Sequence, residues 1–150
     1  MHPFIVYTDS DIELNANTPK NFIAELVKIS KLYLFDKVGL ALRIDNLPKN
    51  FMGDKSKQTE SIYWVKQIQH RKYEIYQGMI DTTFALINPI LPFNYQAIRI
   101  AGDFTCTHKP WYNDWSNLDK EEQYYIDSAN PDISLTKQYY LTWLDRQLIK

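Results

Sequence analysis

The sequence predicts an α/β fold, and three neighbouring segments carry that reading. Phe4 to Thr8 is a short apolar run of β-formers that stops at Asp9-Ser10-Asp11. This is the pattern of a buried strand that delivers carboxylates at its carboxyl end. Between about Pro19 and Leu34, the residues Phe22, Leu26, Ile29 and Tyr33 recur every three or four positions, which is the apolar stripe of a helix. Lys37 to Ile44 is again apolar and rich in β-formers. Strand, helix and strand in this order predict a right-handed parallel crossover unit.

The remaining elements follow from local chemistry. Thr18 offers an N-cap to the helix and Pro19 suits its first position. Asp45-Asn46-Leu47-Pro48 reads as a turn, because Asp and Asn bond to their own backbone and Pro fixes φ. Lys49 to Thr59 is polar, holds Gly53 and several lysines, and reads as a mobile loop that closes over a bound ligand as lids do. Glu60 to Arg71 reads as a helix with Ile62, Val65 and Ile68 on one face. Glu74 to Tyr76 and Ile80 to Ile87 read as strands around Gly78, and Asn88-Pro89 stops the second. Ala97 to Ala101 is a further strand. Asp103 to Trp115 reads as irregular, Ser116 caps a helix through Tyr125, and Leu135 to Leu148 is a last amphipathic helix. No repeat or low-complexity tract is visible.

Composition bounds the class of protein. The 150 residues include 17 Lys+Arg and 18 Asp+Glu, giving a net charge of −1. That length suits one domain. A hydrophobic content of 45% with only 4 Gly and 7 Pro excludes a disordered or collagen-like chain. Near-neutral charge argues against nucleic acid as a partner, since such proteins show a basic face. The one cysteine, Cys106, excludes an internal disulfide and reads as a buried, inert thiol. There is no transmembrane segment, and Met1 to Asp9 lacks the basic start of a signal peptide. The expectation is a soluble, cytoplasmic protein, with peripheral attachment to a membrane as the variant. Aromatic residues make up 15% of the chain, enough to build a core or to form platforms for flat ligands such as sugars.

The first chemical candidate is Asp9-Ser10-Asp11. Two carboxylates at i and i+2 beyond a strand can both turn to one divalent cation, and hard oxygen ligands suit Mn²⁺ or Mg²⁺. With 12 Asp in the chain, about one D-x-D is expected by chance, so a solvated turn is the competing reading. His108, in Thr107-His108-Lys109-Pro110-Trp111, either completes a metal site or packs against Trp111. Arg99 and Lys109 can neutralise phosphate charge; the alternatives are a salt-bridged strand end and a solvated loop. Asp81 is an acid in an apolar segment, a general base or a carboxylate satisfied by Thr82 or Thr83. Glu60, Asp45 and Asp103 are weaker acids of the same kind. Tyr63-Trp64 is either a stacking platform or core.

Taken in series these segments resemble bacterial glycosyltransferases of the family 2 type. The likeness runs through Ile5-Val6-Tyr7-Thr8-Asp9-Ser10-Asp11, then Val38 to Pro48, Glu60-Ser61-Ile62-Tyr63-Trp64, Ile80 to Leu86 and Ala97 to Ala101. It closes with His108-Lys109-Pro110-Trp111-Tyr112 and Glu121 to Tyr125, so it covers about Pro3 to Tyr125. The resemblance implies a GT-A-like, Rossmann-related mixed sheet flanked by helices. It implies a hexosyltransferase-like enzyme that moves a sugar from a nucleotide-sugar donor to a glycan or glycolipid acceptor in polysaccharide biosynthesis. By the same likeness Asp9, Asp11 and His108 hold Mn²⁺ or Mg²⁺, and Arg99 and Lys109 meet the donor phosphates. Asp81 is then the acceptor-facing catalytic acid, with Glu60 in reserve.

The family carries a β-α-β portion ahead of its D-x-D strand, and here that motif arrives at residue 9. The expectation is therefore an N-terminally shortened version, with an exposed sheet edge that favours self-association or a partner chain. Two other readings stay open. One is a non-catalytic remnant or subunit that binds glycan or a partner, and the other is a small metal-dependent phosphohydrolase using the same carboxylates.

Overall fold

The computed structural model interleaves its first helices with strands, follows with a run of strands and ends on two helices. In order they are β1 (Ile5–Thr8), β2 (Ile12–Leu14), α1 (Phe22–Tyr33), β3 (Lys37–Leu40), α2 (Phe51–Glu60), β4 (Gln67–Ile68) and β5 (Ile75–Gly78). There follow β6 (Phe84–Ile87), β7 (Ala97–Ile100), β8 (Cys106–His108), α3 (Lys120–Ser128) and α4 (Leu135–Leu148). Short 3₁₀ turns occupy Ser61–Trp64, Gly102–Phe104 and Lys109–Tyr112. The structure describes residues 4–81 and 83–149; the leader reading of Met1 to Pro3 and the suggested role of Thr82 lie outside them.

Six strands form a mixed sheet in the order β1-β6-β3-β7-β5-β4, and β2 pairs with β8 in a separate ribbon. β3 and β7 are parallel, while β6 runs antiparallel to both β3 and β1. β1 and β3 therefore point the same way, as a crossover requires, but β6 lies between them. This also corrects the expected burial of the first strand. β1 is the edge of the sheet, and Ile5 and Val6 are 52% and 43% exposed. The mixed α/β architecture with flanking helices is as the sequence predicts.

Side-chain alternation gives the sheet two different faces. Val38, Leu40, Phe84, Leu86, Ile98 and Ile100 project to one side and close a core with Leu26 and Ile29 of α1. The other face carries Gly39, Ala85, Ala97 and Arg99, all buried. Small residues there let neighbouring backbone come close. A Cβ on Gly39 would stand 2.0 Å from the Phe84 carbonyl oxygen, and one on Gly78 would stand 3.0 Å from the Tyr63 side chain. Burial on both faces explains why β3 and β7 read as mostly apolar runs, with Arg99 the exception inside β7.

Several elements differ from the sequence expectation. The proposed lid at Lys49 to Thr59 is the ordered helix α2, begun by Asn50, whose side chain accepts from the Gly53 amide at 2.8 Å. Met52, Gly53, Ser56 and Glu60 form its buried face. The helix expected from Glu60 to Arg71 ends at Glu60 and passes into a 3₁₀ turn and β4. Thr18 does not cap α1; its hydroxyl donates to the Asp103 carbonyl at 3.1 Å. α3 is capped by Asp119 in a reciprocal box with Glu122, while Ser116 bonds Asp114. α4 spans Leu135–Leu148 as expected. It is held by an aromatic cluster in which Trp115 meets Tyr140 and Trp143 edge-on.

α1 ends at Leu34 in a left-handed conformation (φ 57°), with its amide bonded to the Ser30 carbonyl. A Cβ in this region costs about 1 kcal/mol that glycine avoids. Because the Leu34 side chain is 70% exposed, Leu34→Gly is expected to raise stability by about 1 kcal/mol in urea unfolding. Near the start of the helix, buried Glu25 accepts from Lys28 at 2.7 Å and from the Tyr73 hydroxyl at 2.6 Å. These bonds lower its pKa to about 2. The contribution is complete above the ordinary carboxylate range and disappears as pH falls through about 2. Glu25→Gln is expected to weaken the protein at pH 7, and the gap from wild type to shrink steadily as unfolding is repeated from pH 5 towards pH 2.

Candidate metal centre

The ribbon of β2 and β8 assembles this centre from opposite ends of the chain. β1 hands over to it when the Asp9 amide donates to the Thr83 carbonyl at 3.1 Å. The chain turns through Ser10 and Asp11, and Ile12 then pairs with His108. One bond past the ribbon, the Lys109 amide donates to the Asp11 carbonyl at 3.0 Å. Asp11 and His108 are thereby locked side by side. Asp9, Asp11 and His108 each offer a ligand atom, and these atoms all lie within 4.8 Å of one another.

The electrostatics suit a cation. Burial holds the His108 imidazole below its ordinary range, against the pull of Asp11 and Asp9, so at neutral pH the ring is uncharged and able to ligate. Its Nε2 lies 3.4 Å from Asp11 Oδ2. Among the described residues, His108 Nδ1 and Asp11 Oδ1 are buried without a hydrogen-bond partner. Such orphaned atoms are costly unless something satisfies them. Two carboxylates and one imidazole are a donor set that could hold a divalent ion. Trp111 packs edge-on against the imidazole at 5.1 Å, the packing that the sequence offers as the alternative reading of His108.

The other candidate residues fall elsewhere. Lys109 is exposed next to His108. Asp81 is exposed in the connection from β5 to β6, not inside a strand, and its carbonyl accepts the Tyr7 hydroxyl at 2.8 Å. Thr83, two residues on, accepts from both Thr8 and Asp9, so this connection is fastened to the end of β1.

Glu60 and Arg99 are committed to each other. They form an ion pair across α2 and β7, with side chains 7% and 3% exposed. The guanidinium also stands 5.1 Å over the Tyr63 ring. Burial pushes the Glu60 carboxyl above the usual range, against the pull of Arg99. This corrects the reading of Arg99 as a phosphate contact and of Glu60 as a reserve catalytic acid. Cys106 is buried, and burial pushes its thiol up to about 12, which leaves it inert.

Sequence reasoning passed over Asn15 and Thr105, which continue the ribbon. The available signal was spacing, since Asp11 and Asn15 flank β2 at its two ends. No described helix is long and apolar enough to cross a membrane. Comparison with family models, curated proteins and solved structures finds no match to this chain.

Removing one partner of a buried ion pair strands the other charge, at a cost of about 3–5 kcal/mol. Glu60→Leu is expected to lose about that much stability in urea unfolding, and Glu60→Leu with Arg99→Leu to recover most of it. Breaking the exposed Arg43–Asp45 pair with Asp45→Asn is expected to cost no more than about 1 kcal/mol.

Proposed function

We propose that the protein is a metal-dependent glycosyltransferase that moves a sugar from a nucleotide-sugar donor to a glycan acceptor. The observation that carries this reading is the convergence of Asp9, Asp11 and His108, with two of their polar atoms buried and unsatisfied among the described residues. The order of motifs resembling family 2 glycosyltransferases supplies the reaction class. These three residues hold the cation, which when bound neutralises charge on the donor diphosphate and on the oxygen that departs with the nucleotide. Exposed Lys109, adjoining His108, adds a positive charge for the same phosphates. Asp81 takes the proton from the attacking acceptor hydroxyl. Its exposure, and the bonds that fasten its connection to the end of β1, support that role.

A non-catalytic subunit is the second reading, favoured by the exposed edge strand with Ile5 and Val6. Concentration-dependent self-association that Val6→Lys abolishes, with no response to Mn²⁺, would establish it in place of the enzyme.

The deciding measurement is thermal unfolding with Mn²⁺ together with UDP, GDP or CDP. A hundredfold excess over Kd stabilises by about 2.7 kcal/mol, or roughly 5–10 °C in a chain of this size. Asp9→Asn, Asp11→Asn and His108→Ala are each expected to abolish the shift. Wild-type protein that responds to none of the three nucleotides with Mn²⁺ would end the proposal.

A further inference from the structure

The ribbon that ends at the metal centre has a second end. Beyond the pair Leu14 and Cys106, the Asn15 amide donates to the Thr105 carbonyl at 3.1 Å, and the Asn15 side chain donates to Thr105 Oγ1 at 3.0 Å. Both residues line a cleft of about 660 Å³, within the range of small-molecule sites. From the Ile12–His108 pair to Asn15 is three strand residues, or about 10 Å. None of Asp9, Asp11 and His108 lines the cleft.

One wall is aromatic. Trp64 meets Tyr76 at 5.1 Å between ring centroids, tilted by 54°. The indole Nε1 is buried, so Trp64 offers the cleft carbon surface and not a donor. Among the described residues no other aromatic side chain lines it, and the platform is one-sided. A single ring face suits the C–H face of a pyranose.

The polar lining is planar and its charges are already engaged. Arg43 grips Asp45 through Nε and Nη2 at 3.1 and 3.2 Å. Glu74 accepts the Tyr76 hydroxyl at 2.5 Å. One cation and two carboxylates leave the lining net negative, which repels phosphates and carboxylates. Paired carboxylates and amides still have lone pairs and N–H groups for hydroxyls.

We infer that this cleft binds a neutral saccharide, stacked on Trp64 and hydrogen-bonded along the Asn17 and Asp45 rim, at a site separate from the metal centre. The inference goes beyond the proposed transfer reaction and needs neither cation nor nucleotide. The test is saturation-transfer NMR on the full chain in EDTA with cellobiose, maltose, lactose and N,N′-diacetylchitobiose, with uridine, guanosine and inorganic phosphate as competing arms.

At least one disaccharide is expected to bind with Kd of about 0.1–10 mM. Trp64→Ala is expected to weaken that binding about 5-fold to 10-fold, the loss of one stacking contact. Asn17→Ala, at an exposed position, keeps the test decisive if Trp64→Ala fails to fold; it is expected to weaken binding about threefold, one neutral hydrogen bond. Three results would overturn the inference: no disaccharide binds, binding survives both substitutions unchanged, or the nucleosides or phosphate bind in preference. Failure of the Mn²⁺ experiment leaves this result standing, and failure here leaves the metal reading standing.

Discussion

Everything of chemical interest depends on three residues of β2 pairing with three of β8. An isolated two-stranded ribbon is marginal in water, so this one must be anchored, and Cys106 anchors it. Its amide donates to the Ala41 carbonyl at 2.9 Å and its carbonyl accepts from the Arg43 amide at 2.8 Å. The backbone at Cys106 thus joins the chain beyond β3, while its side chain is buried in the core beneath. The thiol supplies bulk, not reactivity. His108 stands two residues along, so the rigidity of the central sheet reaches a candidate ligand through very little chain.

A second chain of dependence runs through the other face of the sheet. α2 is placed by the Asn50 cap, by the close approach of Gly53 to Pro48, where a Cβ would stand 2.0 Å from the carbonyl oxygen, and by the Glu60–Arg99 pair. A buried ion pair is a poor source of net stability but a strong constraint on geometry, because one partner without the other is so costly. The pair sits where α2 becomes the Ser61–Trp64 turn. Tyr63 lies over Arg99 and against Gly78, and Trp64 lies against Tyr76. An acid that the sequence offers for catalysis and a cation that it offers to phosphate therefore fix the aromatic wall of the cleft.

How far the sequence can be read depends on where its information is local. β1, β3, β7, α1 and α4 were legible because each writes its own apolar period. Asp9, Asp11 and His108 were legible as ligand types, yet their convergence rests on the pairing of Ile12 with His108, which no local pattern contains. α2 was missed because it buries Gly53, Ser56 and Glu60, residues that read as solvent-facing. Its burial comes from packing against the Ser61–Trp64 and Lys109–Tyr112 turns and from one ion pair, neither of which hydrophobic periodicity detects. Arg99 sits inside Ala97-Ile98-Arg99-Ile100, where an interrupted apolar run can mean a ligand contact or a buried pair. Only the location of Glu60 separates the two.

The edge position of β1 bears on how the centre can work. A central strand would carry Asp9 and Asp11 deep into low dielectric, where unpaired carboxylates are disfavoured and incoming phosphate has no path. A freely exposed turn would leave His108 near its ordinary titration range and its orientation unfixed. The observed site lies between these limits, with all three residues half-buried. Enough burial keeps the imidazole neutral, and enough exposure leaves the three side chains open to solvent. An edge strand joined to a short ribbon produces that intermediate depth, and the same geometry leaves Ile5 and Val6 facing solvent. Accessibility at the centre and an uncovered apolar edge are two consequences of one placement of β1.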